Sequence, residues 1–143
     1  MDQLPAGDVF VDIGANVGMY SMLAGKSSGL RVFSFEPESQ NYALLNRNIH
    51  LNRLSETVTA FPIALSDTNK VDRLYLSEFT TGGSCHQFGA QTNFNLQPVR
   101  SPFAQGCAAF SLDSLVAQGF LPQPHHIKID VDGLEHLVMS GAV

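Results

Sequence analysis

The sequence carries few basic residues, and they form no cluster. Its 143 residues include 8 Lys and Arg against 13 Asp and Glu, which gives a formal net charge of −5. Proteins that hold duplex nucleic acid neutralise its phosphates with grouped lysines and arginines. Nucleic acid is therefore an unfavourable partner, whereas a cationic or zwitterionic small ligand suits this mildly acidic chain.

Long apolar runs are missing as well. No stretch approaches the roughly 18 apolar residues that a membrane helix needs, so we expect no membrane partner. The first nine residues, MDQLPAGDV, lack the basic segment and the apolar core of a signal peptide. Neither feature predicts membrane insertion or export.

Cysteine is scarce, and no metal-ligand set is present. Cys85 and Cys107 form no CxxC pair and no disulfide framework, so we interpret them as free thiols in a reducing compartment and expect a cytoplasmic protein. The spacing around Cys85-His86 offers no four convergent ligands. His125 and His126 enter a strand side by side and should point to opposite faces, so they predict no shared metal.

Strand-like and helix-like segments alternate along most of the chain, whose length fits one domain over residues 1–143. The alternation predicts an α/β fold with a Rossmann-like, mostly parallel sheet. Strands are predicted at residues 9–13, 31–35, 57–61 and 126–131. Helices are predicted from about residue 17, after Pro37, at 111–118 and from 132.

The segment from residue 68 to 106 breaks this alternation. Residues 71–76 could form a strand, but residues 77–106 combine several glycines and prolines with many polar side chains and keep no helical period. We predict a hairpin with a long polar loop, inserted into the α/β domain. Long loops of this kind are usually functional lids or disordered segments.

The most informative motif is VFVDIGANVG at residues 9–18. An apolar run ends at Asp12 and is followed by Gly14 and Gly18, as expected for a buried strand that enters a tight turn. A second apolar run ends at Glu36, 22 positions after Gly14. This order of strand, glycine turn, helix, strand and terminal acid is how an α/β sheet binds the ribose of a nucleoside.

The details of this motif favour a nucleoside without a pyrophosphate. Ala15 and Asn16 stand in place of the second close-approach glycine of a dinucleotide site. Asp12 would repel phosphates and attract a cation, which suits the sulfonium and ammonium of S-adenosylmethionine. Glu36 can accept hydrogen bonds from both ribose hydroxyls. The alternative is that the two glycines only form a turn, that Asp12 is a structural acid and that Glu36 is a solvated strand end.

A second acidic cluster follows the last predicted strand. Ligands of open α/β sheets bind beyond the carboxyl ends of the strands, near the point where strand order reverses, so we expect Asp130 beside Asp12. Asp130 is a candidate to orient or deprotonate an acceptor hydroxyl. The competing interpretation is that Asp132 only caps the final helix and that Glu135 lies on a solvated face.

Taken together, the motifs closely resemble the FkbM family of S-adenosylmethionine-dependent methyltransferases. The resemblance runs from about Val9 to Ala142, with the motifs in the family's order. They are Asp12-Ile-Gly-Ala-Asn-Val-Gly18, Phe35-Glu-Pro37, Asn48-Ile-His-Leu-Asn52, Ala64-Leu-Ser-Asp67, Ser111-Leu-Asp-Ser-Leu115, Ile127-Lys-Ile-Asp-Val-Asp-Gly133 and Gly141-Ala142.

The resemblance implies O-methylation of a hydroxyl group on a sugar, a polyketide or a similar small metabolite. It also implies roles for individual residues. The methionine and ribose part of the cofactor would lie against Asp12, Gly14, Asn16 and Gly18. Glu36 would hold the ribose hydroxyls, Ile63 and Ala64 would lie near adenine, and Asp130 would mark the methyl-transfer end.

The sequence departs from the family pattern at its end. The class I methyltransferase fold that it resembles has seven strands in the order 3-2-1-4-5-7-6, and only four are recognised before Val143. We expect a chain truncated after the fourth strand and its helix, or one completed by a partner. The fourth strand would then be an exposed edge that invites self-association. A cofactor-binding fragment without catalysis and, less favoured, a nicotinamide-dependent oxidoreductase stay open as alternatives.

Overall fold

The structure is a computed structural model, which describes residues 4–27, 29–77, 82–83, 87–89 and 101–143. In chain order, its elements are β1 (Val9–Ile13), α1 (Met19–Gly25), β2 (Arg31–Phe35), α2 (Ser39–Leu51), β3 (Val58–Phe61), β4 (Ala64–Leu65), β5 (Lys70–Leu76), β6 (Gln87–Phe88), β7 (Phe103–Phe110), α3 (Leu112–Ala117), β8 (His126–Ile129) and α4 (Glu135–Ser140).

Four strands form a parallel sheet in the order β3-β2-β1-β8. This arrangement confirms the predicted α/β class and the expectation that the first and last predicted strands are neighbours. All five residues of β1 are buried, as a strand covered on both faces requires. Side chains alternate between two apolar cores, so that Val11 packs with Leu112 and Val138 on one face, whereas Phe10 packs with Leu45 and Ile49 on the other.

A second, mixed sheet has the order β4-β7-β5-β6. β5 pairs antiparallel with β7, as the two arms of the predicted hairpin would. The predicted extent of its loop was wrong, because β7 begins at Phe103 and not after Gly106. Hydrogen bonds to β5 hold Gly106 opposite Arg73 in the ladder despite its weak strand propensity. The rest of the predicted loop lies largely outside the described residues.

The last strand and helix also differ from their predicted bounds. β8 ends at Ile129, and α4 begins at Glu135 and not at Asp132. Asp132 and Gly133 have φ angles of 52° and 101°, so the chain makes a left-handed turn between the two elements. The N-cap position of the final helix is therefore Leu134 and not Asp132.

The outer edge of the parallel sheet is formed by β8, which pairs only with β1 within the described part of the chain. Ile127 on this strand is 43% exposed, in contrast to the residues of β1. None of the described helices is long and apolar enough to cross a membrane.

Candidate active site

A cavity of about 290 Å³ opens at the carboxyl ends of β1, β2 and β8. This is where open α/β sheets bind their ligands. The parallel sheet contributes one part of the wall and the mixed sheet contributes Leu74 and Phe88. Among the residues predicted to form the site, the cavity is lined by Gly14, Asn16, Glu36, Ile63, Ala64 and Asp130. Asp12 and Gly18 are not part of this lining.

Glu36 ends β2 and is only 5% exposed, although it lines the cavity. Its carboxylate accepts hydrogen bonds from two backbone N–H groups, those of Asn16 (2.8 Å) and Glu38 (2.9 Å). Burial raises the pKa of Glu36 to about 7, although these two hydrogen bonds and Lys128 act in the opposite direction. The carboxyl group is thus fixed in orientation and is not a solvated strand end.

Gly14 brings the ends of β1 and β8 into contact. It has a φ of 69°, and a Cβ atom at this position would clash with the backbone carbonyl oxygen of Asp130. Its N–H donates to the carbonyl oxygen of Phe35 at 3.0 Å, which ties the turn to β2 as well. A side chain would therefore force the turn away from the point where three strands converge.

Asp12 lies beneath the glycine turn and is fully buried. Its carboxylate accepts a hydrogen bond from Ser21 Oγ at 2.6 Å and forms an ion pair with Lys128 Nζ at 3.1 Å. Its charge is balanced inside the protein, so the structure places Asp12 as a support of the turn and not on the cavity surface.

Lys128 joins three groups around the turn. Its ammonium group donates to the carbonyl oxygen of Gly14 at 2.8 Å, pairs with Asp12, and lies 3.7 Å from the Asp130 carboxylate. The sequence did not single out Lys128. The usable signal was register, because parallel neighbours β1 and β8 place Asp12 opposite Lys128.

Gly18 also supports the site from outside the cavity. It precedes α1 with a φ of 92°, and a Cβ atom there would clash with the side chain of Leu45. The glycine therefore allows α1 to pack closely against α2.

Asn16 and Asn41 attach part of the insertion to the cavity. The side-chain amide of Asn16 donates to the carbonyl oxygen of Gly83 at 3.1 Å, and that of Asn41 donates to the same oxygen at 3.0 Å. Asn41 also accepts from the N–H of Gly82 at 2.7 Å. Both Asn41 and Gly83 line the cavity. Sequence reasoning missed Asn41, since nothing in a helical period marks a buried polar residue as a contact to a distant loop.

The acids after β8 have different environments. Asp130 lines the cavity with a side chain that is 66% exposed, and Asp132 lines it too. Glu135 accepts from the N–H groups of Val131 (3.2 Å) and Gly133 (3.0 Å), which holds the left-handed turn. Glu135 is thus a partly exposed residue whose carboxylate also holds the turn after β8.

The two adjacent histidines lie at the opposite end of the sheet. The Nε2 atoms of His125 and His126 are 3.8 and 2.7 Å from the carboxylate of Asp8. Their predicted divergence was wrong, because His125 precedes β8 and does not follow strand alternation. Across the described residues, no group of three or more His, Cys, Asp or Glu could hold a metal. Cys85 and His86 lie outside these residues.

Comparison with known proteins agrees with this geometry. Residues 12–143 match the model of the family described as "Methyltransferase FkbM domain". Over 141 residues the chain is 26% identical to hexuronic acid methyltransferase AglP of Haloferax volcanii, covering 99% of this chain and 52% of AglP. Over 66 residues it is 35% identical to methyltransferase sdnD of Sordaria araneosa, covering 46% of this chain and 26% of sdnD.

The chain thus spans about half the length of AglP and a smaller part of sdnD. A solved structure of the Pyrococcus horikoshii protein PH0793 has a TM-score of 0.41 and 23% identity, and the alignment covers 44% of this chain and 24% of that one. A likeness of this extent carries no argument about function.

Proposed function

The chain belongs to the FkbM methyltransferase family, whose members use S-adenosylmethionine, and we propose that its cavity binds this cofactor for O-methylation of a small molecule. The observation that carries the proposal is Glu36. Its carboxylate is buried at the end of β2, oriented by two backbone N–H groups, and lines the cavity. Ribose hydroxyls are neutral donors that suit such a fixed, charged acceptor.

The rest of the lining fits a nucleoside. Because Gly14 has no side chain, the backbone of the turn lies directly at the cavity surface. Ile63 and Ala64 line the wall that would contact adenine, with the apolar side chains of Leu74 and Phe88 nearby. Asp12 and Gly18 would act indirectly, by holding the turn in place. The turn after β1 carries Ala15 and Asn16 where a dinucleotide site has its second close-approach glycine, which disfavours a nicotinamide cofactor.

S-adenosylmethionine, when bound, supplies a methyl group activated by its sulfonium. The residues of this chain would contribute positioning, which is the main source of catalysis when two reactants must meet in line. Asp130 lies on the cavity wall and is the proposed acceptor of the proton that an acceptor hydroxyl loses. Lys128 would keep the Asp130 carboxylate at the end of β8.

We propose an uncharged, hydroxyl-bearing acceptor of sugar-like chemistry. The name of AglP gives a hexuronic acid as the substrate of that enzyme. The described lining of this cavity contains Glu36, Asp130 and Asp132 but no lysine or arginine. An anionic acceptor would therefore meet like charge here, whereas a neutral sugar hydroxyl would not.

The test is transfer of an isotope-labelled methyl group from S-adenosylmethionine to a panel of neutral sugars and their uronic acids. We expect labelling of a neutral acceptor, and a loss of about 100-fold or more in rate for Asp130→Asn with unchanged cofactor affinity. Binding of S-adenosylhomocysteine without transfer to any acceptor would instead support the alternative of a non-catalytic cofactor-binding chain. This alternative stays open because the match covers only 52% of AglP.

A cytoplasmic location is part of the same proposal. It is supported by Cys107, which is a buried free thiol in the described part of the chain.

A further inference from the structure

We propose that Asn41 is a positioning residue for the cofactor. Its side chain holds Gly82 and Gly83 against the cavity, so that these two residues form a fixed part of the cavity wall. The inference rests on the proposed function, because it assumes that this cavity takes S-adenosylmethionine. It adds a residue and a segment that lie outside the motifs carrying the family resemblance.

The side chain of Asn41 uses both of its polar ends on one distant segment. It is 1% exposed, accepts from the Gly82 N–H at 2.7 Å and donates to the Gly83 carbonyl oxygen at 3.0 Å. The two contacts span 41 and 42 positions along the chain. A buried amide that pairs with both backbone groups of a loop fixes that loop in position and in orientation.

The same contacts connect this segment to Glu36, the carboxylate that is proposed to bind ribose. Gly83 also accepts a hydrogen bond from Asn16, whose backbone N–H donates to Glu36 at 2.8 Å. On the other side, the N–H of Asn41 donates to Glu38 at 2.7 Å. The N–H of Glu38 donates to Glu36 at 2.9 Å, so a closed circuit of hydrogen bonds joins the loop to both oxygens of Glu36.

This circuit explains why Asn41 should matter for binding and not only for folding. Gly83, Asn16, Asn41 and Glu36 all line the cavity. Among the described residues, loss of the Asn41 side chain would remove two of the three hydrogen bonds between Gly82–Gly83 and the cavity wall, and would leave the one from Asn16 to Gly83. A ligand would then have to order this wall when it binds, which lowers its affinity.

The first test measures the affinity of the full chain for S-adenosylhomocysteine by calorimetry. Asn41→Ala should weaken binding by about tenfold or more, since two buried hydrogen bonds are lost. Asn69→Ala is the matched control. The side chain of Asn69 also makes two hydrogen bonds, because it donates to Ser114 and accepts from the N–H of Ser111, but it does not line the cavity. We expect less than a twofold change for the control.

The second test uses Asn41→Asp as a pH-dependent rescue. A neutral aspartic acid has the shape of asparagine and can still donate to Gly83, whereas an aspartate cannot. The affinity deficit of Asn41→Asp relative to the unchanged protein should therefore shrink as pH falls from 8 to 5. Asn41→Ala, measured over the same pH range, accounts for the titration of Glu36 itself. A deficit of Asn41→Asp that follows pH no more than that of Asn41→Ala would contradict the assigned donor role.

The third test needs no ligand. Hydrogen exchange of the Gly82 amide should become at least tenfold faster in Asn41→Ala, and stay unchanged in Asn69→Ala. Unchanged exchange, or unchanged affinity in Asn41→Ala, would overturn the role of Asn41 while leaving the proposed function intact. If the unchanged protein binds no S-adenosylhomocysteine, the proposed function fails, and the role of Asn41 in cofactor binding fails with it.

Discussion

At the scale of single residues, Glu36 and Asp12 show how burial separates two acids that look alike in sequence. Asp12 lies one residue before the end of β1, Glu36 directly follows β2, and both were predicted to face the ligand. Asp12 is compensated by Lys128 and Ser21 beneath the turn. Among the described residues, Glu36 accepts its hydrogen bonds from backbone N–H groups, and burial raises its pKa to about 7. Of these two acids, Glu36 is the one that lines the cavity.

The sequence could identify the acids but not their partners. Asp12 and Glu36 were recognisable because each ends a continuous apolar run. Lys128 and Asn41 were not, since their roles depend on strand register and on a loop more than 40 positions away. Contacts of that range are set by the packing of the whole chain.

Gly14 offers a test of the close approach between β1 and β8. We expect Gly14→Ala to lower the free energy of unfolding by at least about 2 kcal/mol more than Gly119→Ala, because a new atom clashes with a rigid backbone only at position 14. Gly119 is the matched control, since its φ of 74° carries the same backbone strain in open space. Urea unfolding measures both values. An equal decrease in the free energy of unfolding for the two variants would contradict the expected clash at position 14.

At the scale of elements, the strands of the parallel sheet were the most predictable parts. β1 and β2 have the predicted bounds because each is a short, largely apolar run, with an acid inside it at Asp12 or directly after it at Glu36. β4 and the first half of β7 were missed, since Ala64–Leu65 is too short to show a period and Phe103–Gly106 is held by its partner strand. Apart from Ala64, the cavity wall made by the mixed sheet was therefore not predictable.

The start of α2 depends on an unusual cap. Glu38 is 1% exposed, and its carboxylate accepts from the N–H groups of Gln40 (3.0 Å) and Asn41 (2.7 Å). It also accepts from Ser39 Oγ. This cap places Asn41 in the first turn of α2, where it can reach the Gly82–Gly83 segment.

We expect Glu38→Ala to destabilise the protein by about 2 kcal/mol, because it leaves several N–H groups of a buried helix end without an acceptor. Ser111→Ala at the start of α3 is the comparison, since Ser111 caps its helix with a single hydrogen bond to the Ser114 N–H. Ser111→Ala should lower the free energy of unfolding by about 1 kcal/mol. Thermal or urea unfolding measures the pair, and a smaller loss for Glu38→Ala would contradict the role of this cap.

At the scale of the whole molecule, the fold class followed from the alternation of strands and helices. The position of the cavity followed from the strand order, because β1 and β8 bring Gly14 and Asp130 together. The full cavity wall could not be predicted, since part of it comes from an insertion whose described residues lie far from the motifs in sequence.

Within the described residues β8 pairs only with β1, and this edge predicts self-association of these 143 residues. Ile127 lies on this edge, 43% exposed, beside a groove lined by Val116 and Ala142. We expect light scattering to detect dimers or larger species, and Ile127→Lys to reduce them, because a charge on an edge strand opposes pairing. Val71→Lys is the control, since Val71 is 83% exposed on β5. A well-folded monomer of the unchanged chain would refute this expectation.

The central claim is that Glu36 binds the ribose of S-adenosylmethionine, and calorimetry with S-adenosylhomocysteine tests it most directly. At pH 8 the protein should bind this ligand, and Glu36→Ala should weaken binding by at least about tenfold, as expected for charge-assisted hydrogen bonds. Because the pKa of Glu36 is about 7, the affinity of the unchanged protein should fall by about tenfold between pH 8 and pH 6 as the carboxylate is protonated. The variant should show little change over the same range. A folded protein that does not bind S-adenosylhomocysteine, or whose affinity is unaffected by Glu36→Ala, would contradict the claim.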